Sequence, residues 1–429
     1  MWLALLLSPM LHLPVLQHTL DNGMEVILLV DRRAPLVTTE LTYRVGAAED
    51  GLAVPGFSAT PGMAHLIEHL MFEGEYDGLL AEAGGESNAW TSHDWTTYTA
   101  AAPADALERL LYLESRRMAD PLAGVSDDDL ENQIAVVLAE RSLDRGGGRG
   151  GRALTESLYA HDHPLHGPVL GDPDAIGVVD RASVSAFLSA WYQPSGAVLV
   201  IGGDIDPAAT LERVEHWFGS LPSAPLPERA TAPTAQPQTS PRRVLHENTL
   251  PTVMLAWPTI PRGHPDEPAL DLLAEVISER LDARVRAGRL DEGLAWTQNS
   301  RLGGRLVLSA SHLRRSSRAL HRELKRALSA AAERRVGLSL LSTHQERWRM
   351  WYVRSAQSLE ARVRMAAGCV RGGEVADCVE SSIAAREAVT PEQLRVVRER
   401  YLVPEQAVLL EVHPASRRSL PGAVEIDPL

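Results

Sequence analysis

Two histidines and a glutamate stand at a spacing that suits a metal ion. Residues 65–69 read His-Leu-Ile-Glu-His, and residues four apart in an α-helix lie on one face, one turn apart. His65 and His69 can therefore both point at one metal ion, with Glu68 beside them. The order reverses the H-E-x-x-H motif of zinc enzymes. The alternative is an ordinary helix whose histidines and glutamate lie on a solvated polar face.

A third ligand is needed, because a catalytic zinc ion takes three protein ligands and keeps one coordination position open. The best candidate is Glu140, which shares the inward face of a second predicted helix with Val136 and Val137. A carboxylate buried there without a partner would be costly, and a cation facing it would remove that cost. Ser126 and Asp129 predict a capping box at the start of this helix.

The composition is that of a globular protein. The chain has 429 residues, 45% hydrophobic and 23% charged, which is enough for two or three domains of about 150 residues each. The net charge of −14 argues against nucleic-acid binding, which needs a basic surface. Only Cys369 and Cys378 are present, so any metal site must use histidines and carboxylates. The two thiols form a disulfide if the chain is exported, or stay free and buried otherwise.

A proline-rich stretch divides the chain into two halves. Residues 221–243 contain six prolines and few large apolar residues, which predicts an extended, solvated linker. We expect an apolar segment at 1–16, a metal-bearing domain at 17–220 and a related domain without the metal at 244–429.

The two halves share a repeated pattern. Residues 180–200 align with 390–410 at a constant offset of 210 without a gap. Each begins at an N-cap residue, Asp180 or Thr390, and continues as a helix, a proline break and an apolar strand. The pattern predicts a duplicated unit, although helix–turn–strand sequences are common and could recur by chance. The expected fold class is α+β, with two similar units of antiparallel-rich sheets packed by helices.

Periodicity predicts the elements that position these residues. Strands are expected at 24–30 and 37–44, and a helix at 64–72. In the second half we expect a strand at 252–257 and a helix with apolar residues facing inward through 269–281.

The N-terminal segment leaves the location of the protein open. Residues 1–16 are apolar but shorter than the roughly 18 residues that span a membrane. They lack the basic residue and the A-x-A site of a signal peptide. The segment is either a remnant of an export signal or an apolar tail packed on the domain. We therefore expect an exported, periplasmic protein or else a cytoplasmic one, with no transmembrane span.

Ordered matches along the first half resemble the pitrilysin/insulinase family of zinc peptidases, the inverzincins. Besides Glu140, the similar segments are 19–24, 62–74, 84–91 with Asp94 and Tyr98, 131–133, 136–137, 163–164 and 192–204.

The resemblance implies two similar α+β units per chain of this size, one of them carrying zinc, and two such chains, or one double-length chain, closing around a chamber. It implies that His65, His69 and Glu140 bind one zinc ion per chain and that Glu68 is the general base. Zinc lowers the pKa of a water that it binds toward roughly 7, and Glu68 passes the proton to the leaving amine. We expect a metalloendopeptidase that cuts peptides or unfolded segments. The alternative is a structural or assembly subunit of the family without peptidase activity.

The resemblance also implies a substrate-binding strand. Asn88, Ala89 and Trp90 resemble the family's edge strand, which pairs with an extended peptide through backbone hydrogen bonds. The alternative is an ordinary strand with Trp90 in the core. Arg289 corresponds to an arginine that contacts substrate, but the family's tyrosine is replaced by Trp296, which lacks the hydroxyl. Either a partner chain supplies the pair or Trp296 is a core residue, and we expect a homodimer or a heterodimer with a family homologue.

Two further departures from the family concern the metal. Gln133 stands where some members carry a second glutamate. The corresponding helix of the second half has no H-x-x-E-H at 269–277, so this half should bind no catalytic metal. The net negative charge favours basic peptides if it lines the chamber.

Overall fold

The structure is a computed structural model, and it describes most of the chain. The described residues are 15–58, 60–73, 76–144, 150–237, 242–246, 250–331, 338–374, 376 and 378–414. Residues 1–14 of the expected N-terminal segment and 238–241 of the expected linker lie outside them. Val15 and Leu16 begin the first strand.

The strands of the described chain form two sheets. They are β1 (Val15–Thr19), β2 (Glu25–Val30), β3 (Leu36–Tyr43), β4 (Glu86–Thr91), β5 (Thr96–Pro103), β6 (Ala197–Gly203), β7 (Arg242–His246), β8 (Thr252–Thr259), β9 (Glu292–Ser300), β10 (Gly303–Ser311) and β11 (Val408–Pro414).

Helices alternate with these strands, and short 3-10 turns occupy Ala104–Ala106, Pro194–Gly196 and Pro404–Gln406. The α-helices are α1 (Met63–Leu70), α2 (Tyr76–Glu82), α3 (Leu107–Ala119), α4 (Asp127–Asp144), α5 (Gly151–Leu158), α6 (Pro173–Ile176), α7 (Arg181–Trp191), α8 (Pro207–Phe218), α9 (Glu267–Arg286), α10 (Ser317–Ala331), α11 (Leu338–Ser355), α12 (Leu359–Arg371), α13 (Val379–Glu387) and α14 (Pro391–Tyr401).

The two sheets have the same topology. The first has the order β1-β2-β6-β3-β5-β4 and the second the order β7-β11-β8-β10-β9, so only β1 lacks a counterpart. In each sheet one pair is parallel, β2 with β6 and β7 with β11, and the other pairs are antiparallel. The central strands β2 and β6 are continuous apolar runs because both of their faces are covered. The predicted α+β class with two similar units is confirmed.

The repeat seen in the sequence recurs element by element. Helix α7 begins after Asp180 and α14 after Thr390, and each cap side chain accepts a hydrogen bond from a backbone N–H of its own first turn. A 3-10 turn that begins with proline and then a buried strand follow in both places, at the same offset of 210.

Contacts group the chain into two compact units that are not continuous halves. The first unit comprises 1–140, 169–230 and 351–381, and the second comprises 141–168, 231–350 and 382–429. The expected boundaries, 17–220 and 244–429, differ from these units in the segments 141–168 and 351–381.

Two helices explain this exchange of segments. In the second unit, Ala153, Leu154 and Leu158 of α5 pack in one apolar cluster with residues of β7, β8 and β11. In the first unit, Val363 and Ala366 of α12 pack in another cluster with residues of β2 and β6. One face of each sheet is therefore covered by a helix from the other half of the sequence.

The proline-rich stretch is irregular where it is described, and it is not simply solvated. Residues 221–237 form neither helix nor strand, and 242–243 already belong to β7. Ala230 is buried, and the Arg229 guanidinium binds the buried Glu49 carboxylate and the Asp94 carbonyl. A side chain that satisfies a buried carboxylate therefore anchors this stretch to the first unit.

Cys369 and Cys378 form a disulfide, which decides between the two states considered for these thiols. Among the residues described, none of the helices has the length and apolar character that crossing a bilayer requires.

Candidate metal centre

Helix α1 presents an apolar face to the core and a polar face to the site. Its apolar residues are buried, whereas His65, Glu68 and His69 are only partly buried on the opposite face. The helix was predicted at 64–72 but ends two residues earlier, at Leu70. The spacing predicted from the sequence therefore puts the two imidazoles and the carboxylate on one surface.

A buried carboxylate fixes the start of α1. Asp50 accepts hydrogen bonds from the backbone N–H groups of Gly62 at 2.7 Å and Ala64 at 2.9 Å. Gly62 has a φ of +102°, and a Cβ there would lie 2.9 Å from the Ile176 side chain, so glycine is required. Burial raises the pKa of Asp50, while the two backbone donors act in the opposite direction.

Helix α4 brings the third candidate ligand. Ser126 and Asp129 form the predicted reciprocal hydrogen bonds at its start. One Glu140 carboxylate oxygen lies 3.8 Å from Nε2 of His65 and 3.4 Å from Nε2 of His69. The Glu140 side chain is 45% exposed, so the burial cost expected from the sequence was overstated. Glu140 is a candidate ligand because it approaches both imidazoles, and not because it is buried.

The three ligand atoms suit one small cation. They lie within 4.8 Å of one another, and no other group of three or more such residues occurs in the described part of the chain. Tetrahedral zinc with bonds of about 2.0–2.2 Å separates its ligand atoms by roughly 3.3–3.5 Å, close to the 3.4 and 3.8 Å between Glu140 and the two imidazoles. Two nitrogens and one carboxylate oxygen are also a ligand set that zinc accepts.

Burial keeps His65 in the neutral form that a metal ligand needs. It lowers the pKa of His65 to about 4, and the neighbouring His69 contributes to the decrease. The ring is therefore neutral near pH 7, which is the form that binds a metal.

A hydrogen-bond chain orients His69. Its Nδ1 lies 3.1 Å from Oε1 of Gln133, and the amide nitrogen of Gln133 donates to the Glu73 carboxylate. Because the amide oxygen can only accept, Nδ1 donates and Nε2 is left facing Glu140. From the sequence, Gln133 was noted only as a departure from the family, and its contact with His69 was not anticipated.

The candidate general base is tied to the edge strand. Thr91, the last residue of β4, donates a hydrogen bond of 2.5 Å from its hydroxyl to Glu68. Burial raises the pKa of Glu68, and the bond from Thr91 lowers it. The sequence did not predict the contact between Thr91 and Glu68, and it assigned no role to Asp50. Thr91 lies in the segment that resembles the family, whereas no local pattern points to Asp50.

The predicted substrate strand lies at the edge of its sheet. Strand β4 pairs only with β5, so its other edge is free of strands in the described structure. Asn88 is exposed, whereas Ala89 and Trp90 are partly buried, so the alternative of Trp90 as a core residue is wrong.

Family models match more than half of the chain. The model of the insulinase family, peptidase family M16, matches residues 26–142, which include the whole candidate metal centre. The model described as the peptidase M16 inactive domain matches residues 179–310. The chain belongs to the M16 family. Its candidate metal centre thus lies in the segment that matches the insulinase model.

Relatives and solved structures agree with this assignment. The zinc protease PqqE of Helicobacter pylori is 26% identical over 346 residues, which is 73% of this chain and 76% of the relative. Other curated relatives are matched over 22% to 66% of their own length. Most of these relatives are named zinc proteases, which makes zinc the cofactor of the family.

Two solved structures show the shared fold. A protease from Helicobacter pylori superposes with a TM-score of 0.82 at 20% identity, covering 94% of this chain and all of that one. The first half of the periplasmic protease PqqL from Escherichia coli gives 0.76 at 17% identity, covering 94% of this chain and 93% of that one.

The second M16 unit has a related arrangement without the histidine pair on its helix. Asp271 of α9 accepts hydrogen bonds from the Thr297 hydroxyl at 2.6 Å and from Arg386 at 2.9 Å. Thr297 lies on the edge strand β9, as Thr91 lies on β4. Arg289 is exposed just before β9, and Trp296 is partly buried against apolar residues of this unit.

Proposed function

We propose that the chain is a zinc-dependent endopeptidase that hydrolyses peptides or unfolded segments. His65, His69 and Glu140 hold one zinc ion per chain, and Glu68 is the general base. The observation that carries the proposal is the convergence of the three ligand atoms within 4.8 Å on the polar face of α1 and α4, beside Glu68. The zinc protease names of the M16 relatives support it.

The residues of this chain divide the chemistry among them. When bound, zinc supplies a Lewis acid that polarises a peptide carbonyl and lowers the pKa of water. Glu68 accepts the proton of the attacking water and returns it to the leaving amine. Burial suits Glu68 to this role because it raises the pKa of the carboxyl and so strengthens the base. The hydrogen bond from Thr91 holds the carboxylate in one orientation.

Substrate binds in extended form along β4. The free edge of this strand offers backbone N–H and C=O groups to a peptide, so we expect it to accept peptides of many sequences. Asn88, Ala89 and Trp90 contact the bound peptide, and Arg289 is a further substrate-binding residue. Two chains, identical or homologous, close around a chamber that admits peptides.

The disulfide supports an exported location. Disulfides persist mainly in oxidising compartments, and Cys369 and Cys378 are bonded. The related PqqL protease is described as periplasmic. Both observations support our proposal that this protein is exported.

The deciding experiment measures zinc content and peptide cleavage on the same samples. The wild type should contain about one zinc per chain and cleave unstructured peptides. Glu68→Gln should keep zinc and lose at least about 100-fold in kcat. Glu140→Gln should lose zinc and activity together. Glu131→Gln, an exposed position on the same helix as Glu140, is the matched control.

Two outcomes would contradict the proposal in different ways. A fully active Glu68→Gln variant would remove this residue from the mechanism. A wild type that stays metal-free and inactive under saturating zinc would favour the structural or assembly subunit.

A further inference from the structure

The side chains of β4 alternate between two faces of the sheet. The Thr91 hydroxyl donates to Glu68, and the Ser87 hydroxyl donates to Asp77 of α2, so both lie on the face that carries the metal centre. Successive side chains in a strand point to opposite faces. Trp90 therefore lies on the other face of the sheet.

An arginine covers Trp90 on that face. The Arg364 guanidinium of α12 lies over the indole ring, with Cζ 5.4 Å from the ring centroid, as in a cation–π pair. The Arg364 side chain is exposed, and among residues of the described ranges none forms a hydrogen bond or ion pair with it. Its charge is therefore available to a ligand at the edge of the sheet.

Ion pairs on both sides of Arg364 anchor α12 to the sheet. Arg362 donates to the buried Asp31 carboxylate at 2.6 Å, and Arg371 donates to the buried Glu40 carboxylate. Both ion pairs hold the helix that carries Arg364, and the charge of Arg364 also acts on the Glu40 carboxylate that Arg371 binds.

We propose that Arg364, held over Trp90, selects an acidic side chain at one position of the substrate. The inference rests on the proposed binding of peptides along β4. A peptide residue directly opposite Trp90 has its side chain on the same face, with Cβ atoms about 4.5–5.5 Å apart. The planar guanidinium can donate two parallel hydrogen bonds to a carboxylate there.

The selection has a sharp positional signature. Residues opposite Ala89 and Thr91 have their side chains on the metal face, so the preference for acid should disappear at the two adjacent substrate positions. This local preference is opposite to the basic preference that the overall net charge of −14 would suggest.

The experiment moves a single Asp, and in parallel a single Lys, along an otherwise neutral peptide that the enzyme cleaves. For the wild type, kcat/KM should favour Asp over Lys about threefold to tenfold at one position and not at its direct neighbours. Arg364→Gln should bring this ratio to about one, and Arg364→Glu should reverse it to favour Lys. Arg116→Glu, an equal charge change at an exposed residue of α3, should leave the ratio unchanged.

A second measurement separates this inference from the proposed activity. The same peptides, labelled with a fluorophore, are bound to the Glu68→Gln variant, with and without Arg364→Glu, and the ratio of Kd values for Asp and Lys is compared. If Arg364→Glu reverses the ratio of Kd values but the wild type cleaves none of the peptides, the proposed activity is refuted and the inference is kept. Cleavage with a ratio that no Arg364 variant alters, or the same shift in Arg116→Glu, would overturn the inference. Absence of any Asp preference in both assays would overturn it as well.

Discussion

The Thr91 hydroxyl donates to the Glu68 carboxylate, with 2.5 Å between Oγ1 and Oε2. The candidate general base on α1 is thereby joined to the last residue of the strand proposed to bind substrate. The second unit has the same relationship between Thr297 of β9 and Asp271 of α9, although Arg386 also binds Asp271 there. The contact thus fixes the acidic residue relative to the edge strand, and in the first unit it would fix the base relative to a bound peptide.

Thr91→Val should lower kcat/KM about tenfold or more while zinc content stays unchanged. Valine has nearly the same shape but no hydroxyl, so Glu68 loses the bond that orients it. Thr91→Ser should restore most of the activity, because it returns the hydroxyl. The measurement is peptide hydrolysis with zinc analysis of the same samples. Equal loss in the serine variant would mean that packing of the methyl group, and not the hydrogen bond, matters.

Gln133→Leu should weaken zinc binding about 10- to 100-fold. The substitution keeps an apolar stem but removes the acceptor for Nδ1 of His69, so the imidazole is no longer held with Nε2 toward Glu140. Competition with a chromogenic chelator measures the affinity. Asn132→Ala, at the exposed neighbouring position of α4, is the control. Unchanged affinity in Gln133→Leu would show that packing alone orients His69.

Local patterns were enough to predict the centre of the candidate site. The spacing of His65, Glu68 and His69 determines a shared helix face as soon as the segment is helical, and apolar periodicity indicates that helix. Glu140 was predicted from the apolar face of its helix, but its side chain is 45% exposed, and only its approach to the two imidazoles supports it as a ligand. The repeat at an offset of 210 likewise depends on caps and proline breaks, which are local signals.

The parts that sequence reasoning missed depend on contacts between distant residues. Asp50 caps α1 from a loop before it, with no periodic signal to indicate this. The exchange of α5 and α12 between the sheets could not be read from the proline-rich stretch. Composition marks an extended connection but does not say which sheet face a later helix covers.

Loss of the disulfide should destabilise the protein by about 2–3 kcal/mol. The bond between Cys369 and Cys378 closes a short loop of sequence separation 9. A cross-link over such a loop lowers the conformational entropy of the unfolded chain, which stabilises the fold by about 2–3 kcal/mol. Denaturant unfolding of the double variant Cys369→Ala/Cys378→Ala should show the decrease relative to the oxidised wild type. The reduced wild type should resemble the variant. Identical midpoints in all three samples would contradict the prediction.

Asp31→Asn should destabilise the protein by about 2 kcal/mol at pH 7, with a difference that disappears in acid. The hydrogen bond from Arg33 lowers the pKa of Asp31 to about 2, burial opposes it, and the charge of Arg362 adds to the decrease. Because the folded pKa lies below the unfolded value near 3.9, the ionised carboxylate stabilises the fold at every pH above about 4. That contribution is lost as the pH falls from about 4 to 2, where wild type and variant should converge. Urea unfolding across this range tests the convergence, and Asp105→Asn, exposed in a 3-10 turn, controls for the loss of one charge at pH 7. A difference that stays constant down to pH 2 would show that Asp31 stabilises the fold by a contact independent of its charge.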